Sequence, residues 1–152
     1  MEFIPFKQVG DFLFNQSFDE IRKSLSAHKH VQLGGRVELD KRYPSIYVPD
    51  LEVFIVFDPD GRSVRAIEVE SDIYLSGINL HSTSLSKLKS HFFKLDDKLV
   101  TEEEGEIESR KLGFIISKDN EKDRNTVFVY SKRYMDEDKI SPDDIIKFYL
   151  GS

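Results

Sequence analysis

The sequence predicts an α+β fold made of two tandem helix-plus-antiparallel-sheet modules, whose sheets join or face one another about a pseudo-twofold axis, followed by a short C-terminal helix. Three observations lead there. Residues 51–70, LEVFIVFDPDGRSVRAIEVE, are two apolar runs joined by a turn, the pattern of a hairpin. A second apolar pair, KLGFIIS and TVFVYS, follows in the later half of the chain. Upstream of each pair lies a serine-led amphipathic pattern, and one constant offset lays Leu13 on Leu80, Ser17 on Ser84, Phe18 on Leu85, Ile21 on Leu88 and Leu25 on Phe92. The expected organisation is a single compact domain over 1–152. Repeat one lies at about 11–70, repeat two at about 78–131, and the last helix at 141–150.

In chain order, Phe3, Ile4, Phe6, Val9, Phe12, Leu13 and Phe14 form a lead-in broken by Pro5 and Gly10. Ser17-Phe18-Asp19-Glu20 fits a capping box, and Phe18, Ile21 and Leu25 continue at helical spacing, which predicts a helix over 18–27. VQLGGRVEL and SIYV read as strands connected by Asp40-Lys41-Arg42. No lysine and no helix follow Gly34-Gly35, so the pair marks a bulge or bend rather than a phosphate loop. Val53 to Phe57 are all β-branched or aromatic and predict a central strand. Asp58-Pro59-Asp60-Gly61 reverses the chain, and Val64, Ala66, Ile67 and Val69 return with Arg65, Glu68 and Glu70 interspersed, so one face is expected to be buried and the other at least partly wet.

The second half departs from the first between Thr101 and Ser109, where five of nine residues are glutamate. Adjacent like charges disfavour a buried strand, so an exposed acidic hairpin or loop is expected there. Ser141-Pro142-Asp143-Asp144 is a helix start, with serine at the cap, proline at the first position and acids at the positive end of the dipole.

Composition narrows the function classes. A chain of 152 residues buries roughly 70% of its unfolded surface without help from metal or disulfide. With no cysteine, thiolate catalysis and cysteine zinc sites are excluded. The opening MEFIPFKQVGDF lacks a basic segment followed by an apolar run, which predicts a cytoplasmic protein with no membrane partner. A net charge of −6 without a basic stripe argues against nucleic acid and for a basic protein partner.

Catalytic signatures are missing. His28 and His30 have ligand-like spacing, but neither they nor His81 and His91 sit in a HExxH pattern. GxSxG, GxGxxG and GxxxxGK[ST] do not occur. Asp58 and Asp60 lack the other ligands of a calcium loop, and turn formation explains both. No catalytic residue, cofactor or metal site is therefore expected, and the chain reads as a non-enzyme. Tyrosines suit protein interfaces because their rings are apolar at one end and polar at the other. Tyr43, Tyr47 and Tyr134, the last beside Lys132 and Arg133, are the ones whose sequence positions favour that role.

The order of elements across roughly 12–131 resembles the tandem-repeat fold of the β-lactamase inhibitory protein family, whose curved sheet grips a partner. No motif accompanies the likeness, and no inhibitory residue carries over. An acidic, cysteine-free chain of this size also resembles the immunity proteins of bacterial polymorphic toxins. Those resemblances imply a protein-binding domain that neutralises a cognate toxin by covering its basic active site. The residues expected to meet the partner are Glu102, Glu103, Glu104, Glu106 and Glu108, with Tyr43 and Tyr47. A small-ligand or regulatory module, with its pocket between the repeats, is the alternative.

Overall fold

The computed structural model describes residues 1–102, 105–119 and 123–137; the helix expected at 141–150 lies outside them. Three two-residue strands, β1 (Phe3–Ile4), β2 (Gln8–Val9) and β3 (Phe12–Leu13), form a small sheet ahead of helix α1 (Phe18–Ser24). The capping box forms as the sequence implies: Ser17 Oγ accepts from the Glu20 amide and Glu20 accepts from the Ser17 amide, both at 3.1 Å. The chain then runs through β4 (Gln32–Glu38), β5 (Lys41–Val48), β6 (Val53–Phe57) and β7 (Val64–Val69), an antiparallel meander. Between β4 and β5 the turn is Leu39-Asp40, both at positive φ as in a tight hairpin turn, so Lys41 and Arg42 already belong to the strand.

A short hairpin of β8 (Tyr74–Leu75) and β9 (Ile78–Asn79) leads to α2 (Leu85–Phe93). A second meander follows, of β10 (Val100–Glu102), β11 (Glu106–Ser109), β12 (Phe114–Asp119) and β13 (Arg124–Tyr130), and then α3 (Lys132–Glu137).

The two meanders do not build separate modules. β13 pairs with β7, giving one eight-stranded antiparallel sheet in the order β10-β11-β12-β13-β7-β6-β5-β4. The expected α+β fold of two helix-plus-sheet modules is therefore corrected: the described residues are predominantly antiparallel β-sheet, and the three α-helices among them have only seven, nine and six residues. The physical reason is that a continuous sheet satisfies the backbone of both inner strands, which separate sheets would leave as open edges. The acidic stretch does form a hairpin, β10–β11, but one joined to the sheet through β12 rather than exposed throughout. In β11, Ile107 and Ser109 are buried and Glu106 and Glu108 point the other way; a strand's two-residue period lets glutamates alternate with core residues.

Register shows how the core forms. Ile46, Ile55, Ile67, Val129 and Phe114 are paired in turn from β5 to β12, and each is fully buried. The next inward row, Val48, Val53, Val69, Val127, Ile116 and Ile107, is equally buried. Ile21 and Leu25 of the α1 region, Leu88 and Phe92 of α2, and Phe12 and Phe14 belong to the same apolar cluster. Phe92 meets Phe114 edge-on at 5.1 Å, and Phe18 meets Phe57 at 5.3 Å. The lead-in is stitched to the sheet where the Val64 amide donates to Phe14 O and the Phe18 amide to Gly61 O, each at 2.9 Å. At the far margin, every residue of β4 from Gln32 to Val37 is exposed.

Removing side-chain volume from the centre of the inner row should therefore cost far more than removing it from the margin. Ile67→Ala is expected to lower the unfolding free energy by about 3 kcal/mol, while Val37→Ala changes it by less than about 0.5 kcal/mol, as read from urea denaturation.

Candidate functional site

The sheet face turned away from the helices α1 and α2 carries a row of its own. Cross-strand pairing runs Gln32, Tyr47, Phe54, Glu68, Phe128, Ile115, Glu108, Val100, one residue from each of the eight strands. The six central members are half-buried and the two end members exposed. With strands about 4.8 Å apart, Tyr47 and Glu108 stand roughly 24 Å from each other along this row. The neighbouring row adds Ser45, Val56, Ala66 and Tyr130.

Aromatic rings gather where α3 packs on this face. Tyr134 lies 5.1 Å from Tyr130 and 5.6 Å from Phe128, and Tyr47 lies 6.4 Å from Phe54. Arg65 is buried between the rings of Tyr43 and Tyr134, with its guanidinium carbon 4.8 and 5.0 Å from their centroids. Weak hydration and a flat, delocalised charge make a guanidinium the cation best suited to such a slot. Asp58, also buried, stands 3.6 Å from Arg65 and 3.2 Å from Arg133 of α3, and accepts a hydrogen bond from the Ser63 hydroxyl. The turn carboxylate thus fixes α3 across the sheet end. Tyr130 donates to Glu108 at 3.4 Å and to Ser109 O at 3.3 Å, and burial, with Glu108 beside it, pushes the phenol above its ordinary value.

Of the residues expected to meet a partner, the structure brings Tyr47, Glu106 and Glu108 onto this one face. Glu106 accepts from Ser117 at 3.1 Å, and the Glu102 backbone pairs with Glu106. Tyr43 is buried, its ring engaged by Arg65. Glu103 and Glu104 lie outside the described residues. The sequence reading passed over Phe54, Glu68 and Phe128 as site members. Alternation marked Glu68 as outward-facing, but only cross-strand register shows that it stands between two phenylalanines. Burial, reinforced by the Glu70 carboxylate and opposed by Arg36, raises the Glu68 pKa above 4.5.

The histidines do not converge. His28 stands 3.6 Å from Asp50 in the stretch between α1 and β4, His30 is exposed, and His91 packs edge-on against Phe92 within α2. His81 is buried at the start of the segment leading into α2. Among the described residues no group of three or more histidines and carboxylates is placed to hold a metal ion, and no helix is long and apolar enough to cross a membrane. Comparison with family models, curated proteins and solved structures gives no match.

Two predictions test the face. Asp58→Ala removes the carboxylate from beside buried Arg65 and is expected to cost about 3 kcal/mol, against less than about 1 kcal/mol for exposed Arg133→Ala, measured by urea denaturation. The second concerns Glu68, whose folded pKa lies above its unfolded value. The stability linked to its proton is then complete at low pH and is lost as pH rises through the folded pKa. Glu68→Gln should raise the urea midpoint at about pH 7, with the gain shrinking towards zero as the pH is lowered to about 4.

Proposed function

We propose that this chain is a protein-binding domain whose docking surface is the outer sheet face, and that its partner is a basic protein. The observation that supports the reading is the cross-strand row itself, in which half-buried Tyr47, Phe54, Phe128 and Ile115 are interleaved with Glu68 and Glu108. Aromatic anchors set among carboxylates offer contact area together with charge complementarity to lysine and arginine. The net charge of −6 adds long-range steering of a basic partner. In its narrower form the proposal is that the partner is a nuclease-like bacterial toxin whose basic active site this face covers.

The test uses the immobilised chain and an extract of its source cells, with binding then measured by calorimetry on the purified partner. A retained protein with a basic isoelectric point is expected. Combining Tyr47→Ala, Glu106→Lys and Glu108→Gln, the last keeping an acceptor for Tyr130, should weaken its binding by about tenfold or more, and more steeply at low salt. Unchanged affinity in the triple variant, with its melting curve intact, would overturn the assignment of the face. The narrower form further expects that the partner is toxic to cells when expressed alone and harmless when expressed with this chain.

A further inference from the structure

Among the described residues, the two longest helices begin differently. The first turn of α1 is closed by its own side chains and carries Asp19 and Glu20. At α2 the cap residue is Ser84, whose side chain makes no capping bond, and the first turn has no acid. A helix N-terminus presents unpaired amides and the positive end of a dipole. By itself that is common and identifies nothing.

A second feature at the same place does point to a ligand. A cleft of about 360 Å³ opens there, and its lining includes His81, Ser84, Ser86, Lys118 and Arg124. His81 is only 5% exposed, and its Nδ1 lies 2.6 Å from the main-chain oxygen of Asn125. A carbonyl can only accept, so Nδ1 carries a proton. Nε2, on the opposite side of the ring, is buried and has no hydrogen-bond partner among the described residues. Leaving a polar atom buried and unpaired costs free energy, and a group able to satisfy it would be favoured. The backbone on either side of the ring is pinned, because the Asn125 amide donates to His81 O at 2.8 Å and Asn125 Nδ2 donates to Leu80 O at 2.9 Å and Thr83 O at 2.7 Å. Lys118 and Arg124 are exposed and form no ion pair with a described residue. Asp123 also lines the cleft and opposes them, so that among the described lining residues the two cations outnumber the one carboxylate.

We propose that the cleft between the N-terminus of α2 and the β12–β13 end of the sheet binds a tetrahedral oxyanion of the phosphate or phosphomonoester class. The first-turn amides and the Ser84 and Ser86 hydroxyls donate to its oxygens, and Lys118 and Arg124 balance its charge. A hydrogenphosphate offers both an O–H donor and acceptor oxygens, either of which could pair with the unpartnered Nε2 of His81. This site is separate from the outer sheet face and does not rest on the protein-binding reading.

The experiment is a two-dimensional amide NMR titration of the intact chain at constant ionic strength, with inorganic phosphate in one arm and phosphoserine in the other. In the wild type, saturable shifts are expected at the amides of Leu85, Ser86 and Lys87, with a matching movement of the His81 Nε2 resonance. Ser84→Asp installs a carboxylate cap on those amides; it should raise the melting temperature and abolish the shifts, so that lost binding is not lost folding. Lys118→Ala with Arg124→Ala should weaken binding at least tenfold. Tighter binding of phosphoserine assigns the site to a phosphate ester, and equal binding assigns it to the free anion. Shifts that are missing in the wild type, that follow the surface cations generally, or that persist in Ser84→Asp would overturn the proposal.

Discussion

The pairing of β7 with β13 is the constraint on which the molecule depends. Four register pairs, Val69 with Val127, Glu68 with Phe128, Ile67 with Val129 and Ala66 with Tyr130, weld two meanders into one sheet. The cross-strand rows that span the sheet, on either face, pass through this seam. Because strand side chains alternate, one register fixes both faces together: a one-residue slip of β7 against β13 would send Ile67 to the outside and bring Glu68 into the core. The apolar rows beneath therefore hold the outer row in place as well.

Local signals were legible wherever their cause was local. The α1 capping box, the β6–β7 hairpin with its Asp58–Gly61 turn, and the two strands flanking Leu39-Asp40 follow from side chains within a few residues of one another. Whether the two meanders join or face one another stayed open in the sequence, because nothing in VRAIEV or TVFVY states whether its open edge meets another strand or solvent. The same blindness affected the candidate site. Clustered glutamates at 102–108 drew attention through composition, whereas Glu68 gains its character from residues far away in sequence that the register sets beside it. His81 is a similar case, since one histidine among serines carries no signal until its neighbours in space are known.

The outer face also shows how a charged residue can be kept under aromatic cover. Arg65 sits between Tyr43 and Tyr134, and Asp58 supplies the opposing charge from the hairpin turn. A turn carboxylate, a strand cation and a helix cation, Arg133, then fasten α3 to the sheet. Short helices do not persist on their own propensity; here charge and ring contacts hold the described turns of α3 on the sheet.

Burial falls off unevenly along the sheet: complete in the inner rows at β6, β7 and β13, and nil along most of β4. Cooperative unfolding free energy follows such gradients. The molecule consequently has a stiff middle and pliable borders. Anything settling on the Glu68 region meets an unyielding platform, while the β4 fringe, with its Gly34-Gly35 pair, can bend to follow an irregular contour without disturbing the interior.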